Sequence, residues 1–188
     1  MFYLCSIGSN IDPNSHVTRV LEELASRFGR LQTSSVISTK PVGMHSSHDF
    51  LNCLLILESE LDTSALKQAF VAMEVGHGRD RSNPLCKVRD RPLDIDILAS
   101  NPHGDFAAEQ VDSYLIELLA ELYGCGEVHD PKVALQLQLH LPAGSGKTVH
   151  IQSIGLEPAT VCMPSEHGQS APPIHLDAGP GHIAVRHQ

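Results

Sequence analysis

Short blocks of apolar residues, separated by turn formers, run through the first 141 positions. Residues 2–8 are an apolar run closed by Gly8-Ser9-Asn10, which reads as a strand and a turn. Val17, Val20, Leu21, Leu24 and Phe28 recur at helical spacing and predict a helix over about 14–28, opened by Asp12 or Asn14. Residues 31–39, rich in Ser, Thr, Val and Ile, predict a strand, and a loop follows from Lys40 to His48. A further strand is expected over 50–60. Leu66, Phe70 and Met73 then lie on one face of a helix that begins at Asp62 or Thr63 and ends near Val75. A basic loop over 77–91 leads into a strand over 93–99, and a leucine-rich helix runs from Asp112 or Ser113 to about Tyr123. Residues 133–141 alternate apolar and polar, the mark of a half-buried strand.

The order β-α-β-β-α-β, then helix and strand, predicts an α+β ferredoxin-like sandwich, with helices packed on an antiparallel sheet. The first 141 residues are expected to form one domain. From residue 142 the composition turns to Gly, Pro, Ser and His without a period. Residues 142–188 are therefore expected to be a loosely ordered tail, in which 148–154 could add an edge strand.

Composition narrows the class. The chain has 188 residues, 41% hydrophobic and 19% charged, with a formal net charge of −9. That balance is of a globular chain and disfavours a nucleic-acid binder. No apolar run is long enough for a membrane span, and the N-terminus lacks a basic leader. The five cysteines are scattered with no C-x-x-C pair, which points to a reducing, cytoplasmic setting. Oligomeric state is not readable from the chain.

Charge is distributed unevenly. Five of the thirteen Lys and Arg residues (Arg79, Arg81, Lys87, Arg89, Arg91) lie within residues 79–91. A basic island in an acidic chain suggests a local anion site. It is followed at once by Pro92-Leu93-Asp94-Ile95-Asp96-Ile97-Leu98. In an extended strand, residues i and i+2 share a face, so Asp94 and Asp96 project together while Leu93, Ile95 and Ile97 face the core. Two carboxylates side by side repel unless a cation joins them. Mg²⁺, held by carboxylates and substrate phosphates, is the common solution. An ordinary charged surface strand is the plainer reading, but Asp is disfavoured in strands.

Five blocks stand in order over residues 2–123. They are Ile7-Gly8-Ser9-Asn10; Ser34 through Gly43; Asp49-Phe50-Leu51-Asn52; Glu74 with Gly78-Arg79; and Arg91 through Leu98. In that order and spacing the chain resembles the 6-hydroxymethyl-7,8-dihydropterin pyrophosphokinase family. The resemblance implies transfer of pyrophosphate from MgATP to a hydroxymethyl dihydropterin, a folate-biosynthesis step that releases AMP. It implies that Asp94 and Asp96 hold two Mg²⁺ ions, and that Arg79 and Arg91 act with them as catalytic residues. Arg81, Lys87, Glu74 and Ile97 would bind ATP, with Lys87 standing where the family often has Arg. Thr39, Val42, Gly43, Phe50, Asn52 and Tyr114 would hold the pterin. Asn52 offers it a donor and an acceptor, and the two aromatics flank the ring.

Two departures accompany the match. Val88 stands six residues before Asp94, where the family usually has Trp, and residues 101–113 lack the family's Pro-His segment and following Arg. They support an alternative reading, a weakened or inactive paralogue that binds pterin or nucleotide in a regulatory role. Residues 143–148 end like a phosphate-binding loop, but Leu141 stands where its first glycine belongs. The histidines of the tail lack metal-ligand spacing.

Overall fold

A computed structural model describes residues 1–42, 46–86, 88–140 and 149–164. Gly43, Lys87 and the segment 143–148, each assigned a reading above, lie outside the described residues. The expected pattern of strands and helices is present. Strand β1 (Phe2–Ser9) leads to helix α1 (Pro13–Phe28), then β2 (Arg30–Thr33), β3 (Ile37–Thr39) and β4 (Phe50–Glu58). Helix α2 (Thr63–Gly76) connects to β5 (Asp94–Asn101), and a 3₁₀ turn at Ser113–Leu115 opens α3 (Ile116–Leu122). Strands β6 (Leu135–His140), β7 (Val149–Ile154) and β8 (Ala159–Cys162) follow.

The main sheet has the order β5-β1-β4-β2-β8, with β3 also on β4, and every pairing is antiparallel. On one face, Cys5, Ile7, Leu55, Leu57 and Ile95 pack with Val17, Leu21 and Leu24 of α1 and Leu66 and Phe70 of α2. On the other, Leu4, Leu54 and Ile56 pack with Phe106, Leu115, Leu118 and Leu122 of the α3 region. The fold is an α+β ferredoxin-like sandwich with helices on its antiparallel sheet.

The structure corrects the sequence reading in two places. The strand expected over 31–39 is two strands. Thr33 pairs with Leu55 and Ile37 with Asn52, so the first chain carries one more residue than the second. Serine chemistry accounts for the break. The Leu54 amide donates to Ser34 Oγ, and Ser35 N and Oγ both donate to Glu121 instead of to a strand. The second correction concerns the expected tail. The strand anticipated within 148–154 is present, 149–154 pairing with β6 as a two-stranded ribbon; the unforeseen strand is 159–162, which pairs with β2 in the main sheet. Val161 and Ile154 are buried in the helix-side core. Gly155 makes the turn between them: its φ is +99°, and a Cβ there would lie 2.2 Å from the Val133 carbonyl oxygen.

Candidate functional site

Strand register assembles the site. Gly8 of β1 lies between Asn52 of β4 and Asp94 of β5, and Ser6 lies opposite Asp96. These positions share the face away from α1 and α2. There they line one pocket with Ile7, Thr39, Lys40, Val42, Phe50, Arg91 and Tyr114. Most of the residues expected around the pterin, and both aspartates, thus come together. Ser6, Ile7, Gly8 and Lys40 are added to them. Ile7, Gly8 and Lys40 lie within the family blocks read from sequence, without a role assigned to them, and Ser6 follows from the strand pairing.

Basic side chains surround the aspartates. Arg79 Nη1 and Arg91 Nη1 each donate to a different oxygen of Asp94. Burial alone would push this carboxyl up, but the hydrogen bond and charge of Arg79, joined by Arg91, outweigh it and hold Asp94 below its usual value. Asp96 is more exposed, and its Oδ1 accepts from Lys67 Nζ at 2.8 Å. Arg79 itself is buried behind Asp94 and is not part of the pocket lining, so it buttresses the carboxylate from the rear. Arg79, expected as a catalytic residue beside Arg91, therefore stands one layer behind the pocket wall.

Helix α2 closes the open edge of β5, which among the described residues pairs only with β1. Lys67 and Glu74, seven residues apart, share one helix face. Glu74 Oε1 accepts from Ile95 N at 2.9 Å, and Lys67 Nζ donates to Ile95 O at 2.9 Å. Arg79 Nη1 donates to Leu93 O at 3.1 Å. Three backbone groups at the start of this edge are thus satisfied, where another strand could otherwise pair. Glu74 is fully buried, and its carboxylate also pairs with Arg79 and Arg81. Ile97 packs on the helix-side core. Neither Glu74, Ile97 nor Arg81 lines the pocket. Glu74 and Ile97, expected to bind ATP, thus lie outside this pocket, and Glu74 holds Arg79 and Arg81 together.

The opposite wall is set by Asn52. Its Nδ2 donates to Thr39 Oγ1 at 2.7 Å. Its Oδ1 lies 3.0 Å from where a Cβ on residue 8 would be, so glycine is what leaves this floor open. The Arg91 guanidinium stands over the Phe50 ring, 5.7 Å from its centroid. Tyr114 comes in from the α3 side. Burial, then the charges of Asp112, Asp94 and Asp96, push its phenol up, so it stays a neutral donor. Asn10, read from sequence as part of the first block and its turn, fixes this corner. Its Oδ1 accepts from Arg91 N at 2.8 Å, its Nδ2 donates to Asp90 at 2.6 Å, and its own N–H donates to Arg91 O at 3.1 Å.

A divalent cation fits the donor set. Asp94 is held as a carboxylate and Asp96 sits beside it on the pocket wall, which gives all-oxygen ligands for a hard ion. The site offers two carboxylates, and no group of three His, Cys, Asp or Glu residues gathers here or elsewhere among the described residues. An ion here would complete its shell with water or ligand oxygens, as Mg²⁺ does at nucleotide phosphates.

Comparison with known proteins agrees with this geometry. The family model for 7,8-dihydro-6-hydroxymethylpterin-pyrophosphokinase matches residues 4–142. Two strains of Porphyromonas gingivalis carry a 2-amino-4-hydroxy-6-hydroxymethyldihydropteridine pyrophosphokinase that is 41% identical over 95 residues. That match covers 50% of this chain and 65% of the relative. A protein of the same name from Campylobacter jejuni is 30% identical over 98 residues, covering 50% of this chain and 60% of that one. The chain therefore spans under two thirds of the length of these relatives. A match that runs through every pocket-bearing strand leaves one conclusion: the chain belongs to the 7,8-dihydro-6-hydroxymethylpterin-pyrophosphokinase family.

Proposed function

We propose that the chain transfers pyrophosphate from MgATP to 6-hydroxymethyl-7,8-dihydropterin and releases AMP. The observation that carries this reading is one pocket with Asp94 and Asp96 on one wall and Phe50, Asn52 and Tyr114 on the other. The pterin lies against Asn52, whose amide offers a donor and an acceptor, and is flanked by Phe50 and Tyr114. Thr39 and Val42 complete that half, and Gly43 is assigned to it by the family resemblance. Its hydroxymethyl oxygen attacks the β-phosphorus of ATP. The bond from that phosphorus to the α-phosphate oxygen breaks, AMP leaves, and the hydroxyl proton goes to solvent.

Divalent ions held by Asp94 and Asp96, two in number, would neutralise phosphate charge during this exchange. Phosphoryl transfer asks little covalent work of a protein, so positioning and charge do most of it. Arg91 reaches the phosphates from the pocket wall, and Arg79 holds Asp94 ionised and in place. Arg81 and Lys87 supply further positive charge from the basic loop. Small molecules, not nucleic acid, are the partners, and the setting is the cytoplasm. Among the described residues no helix is long and apolar enough to cross a membrane.

A second reading, binding without turnover, draws on Val88 in the basic loop and on the basic partners already on both aspartates. Incubation with MgATP and the dihydropterin separates the two. AMP production that Asp94→Ala abolishes supports the transferase. Tight pterin binding with no AMP supports the second, and no pterin binding overturns both.

A further inference from the structure

Lys67 belongs to α2 on the helix side of the sheet, yet its ammonium reaches round the edge of β5 to the pocket side. Its Nζ donates to Ile95 O at 2.9 Å and to Asp96 Oδ1 at 2.8 Å. An exposed ion pair ordinarily contributes little, because two long side chains must be held still and water screens the charge. This one differs in that the backbone carbonyl anchors the ammonium independently of Asp96. The other oxygen of Asp96, Oδ2, accepts no hydrogen bond among the described residues. A fixed positive charge therefore stands on one side of Asp96, and no described residue donates to the other.

We propose that Lys67 is a resident counter-charge for Asp96, one that sets how strongly the pocket takes up a divalent cation. This rests on Asp94 and Asp96 being cation ligands, as proposed above. With Arg79 and Arg91 on Asp94 and Lys67 on Asp96, three cationic groups touch the two carboxylates. Such a pocket is a weak trap for a free divalent ion. It takes one up well only when nucleotide phosphates bring in further negative charge, so ion and nucleotide arrive together. Lys67 is the partner that can be altered without unpairing Asp94.

The competing view is that Lys67 only ties α2 to the sheet edge. Mn²⁺ uptake by the full chain distinguishes them, followed by the electron-spin resonance of free Mn²⁺ with and without α,β-methylene-ATP. Removing one unit charge beside a divalent ion in a hydrated site changes affinity by about threefold to tenfold. Lys67→Met should bind Mn²⁺ that much more tightly, with the larger gain in the absence of nucleotide. Lys67→Arg should match the unaltered chain. The gain should shrink as ionic strength rises. Lys67→Gln, neutral but still able to donate to the Ile95 carbonyl, should behave as Lys67→Met does, which covers a loss of folding in the methionine variant. Unchanged or weaker Mn²⁺ binding in both neutral variants, with Asp96→Asn still lowering uptake, overturns this proposal and leaves the transferase reading standing. Failure of every protein to take up Mn²⁺ overturns both.

Discussion

Asn52 shows what one polar residue inside an apolar strand can reveal. It is buried, bonded to Thr39, and faces the pocket past Gly8. Asn52→Ala should weaken pterin binding by about 1–3 kcal/mol, the cost of losing a buried hydrogen-bonding partner, and weaken ATP binding much less. Calorimetry with each ligand measures the two, and equal losses would remove Asn52 from the pterin wall. Gly8→Ala places a methyl against Asn52 Oδ1. Its effect should fall on pterin affinity, with the unfolding temperature nearly unchanged. Both aspartates were readable from sequence because two carboxylates at period two are disfavoured in a strand, whereas Asn52 came from the family resemblance. Glu74 was readable as present but not as placed. A carboxylate on a helix looks the same in sequence whether it meets a ligand or is sealed under two arginines.

At the level of elements, α2 does more than cover the core. Through Lys67, Glu74 and the arginine that follows its end, it closes the edge of β5 where the aspartates sit. Glu74→Ala would leave Arg79 and Arg81 short of their common partner, and the loss of a buried counter-charge typically costs about 3–5 kcal/mol. Glu74→Gln keeps an oxygen for Ile95 N and should cost less. Urea unfolding of both variants checks the order, and an equal cost would mean that the arginines, not the strand edge, carry the whole effect. The β-α-β-β-α-β order and the alternation of β6 were plain in the residues, because period is a local property. The division of 31–39 was not, since Ser34 and Ser35 favour a strand by composition and leave it only through partners on β4 and α3. β8 was missed for a related reason: four residues carry too little pattern to separate a strand from a tail. Its membership comes from Val161 reaching the core. Ending the chain after His140 should cost about 1.5–3 kcal/mol for each of Ile154 and Val161, read as a lower urea midpoint.

The whole molecule carries an acid sensitivity that no single block announces. His16 of α1 and His77 at the end of α2 place their Nδ1 atoms 2.9 Å apart, so one ring donates and the other accepts. Burial, then the charge of Arg19, push both imidazoles below the usual value of 6.5. Asp12 opposes this at His16 and Glu23 at His77. As pH falls through 6.5 the unfolded chain takes up protons first, so the stability of the neutral pair is present above that pH and is lost below it. Asp94, also held low, adds a second loss as pH falls below 3.8. Thermal unfolding between pH 7.5 and 5 (about half a unit per step, on the ordinary histidine scale) should show the first decline. His16→Gln should flatten it; an unchanged slope would clear the pair of responsibility. The arginines on Asp94 have one more consequence. An anion entering the pocket meets the Arg91 guanidinium, already paired with Asp94 and backed by Arg79 behind it. Association there is a trade of one companion for another, in which little side-chain freedom remains to be surrendered and only the difference between two ion pairs is released as heat.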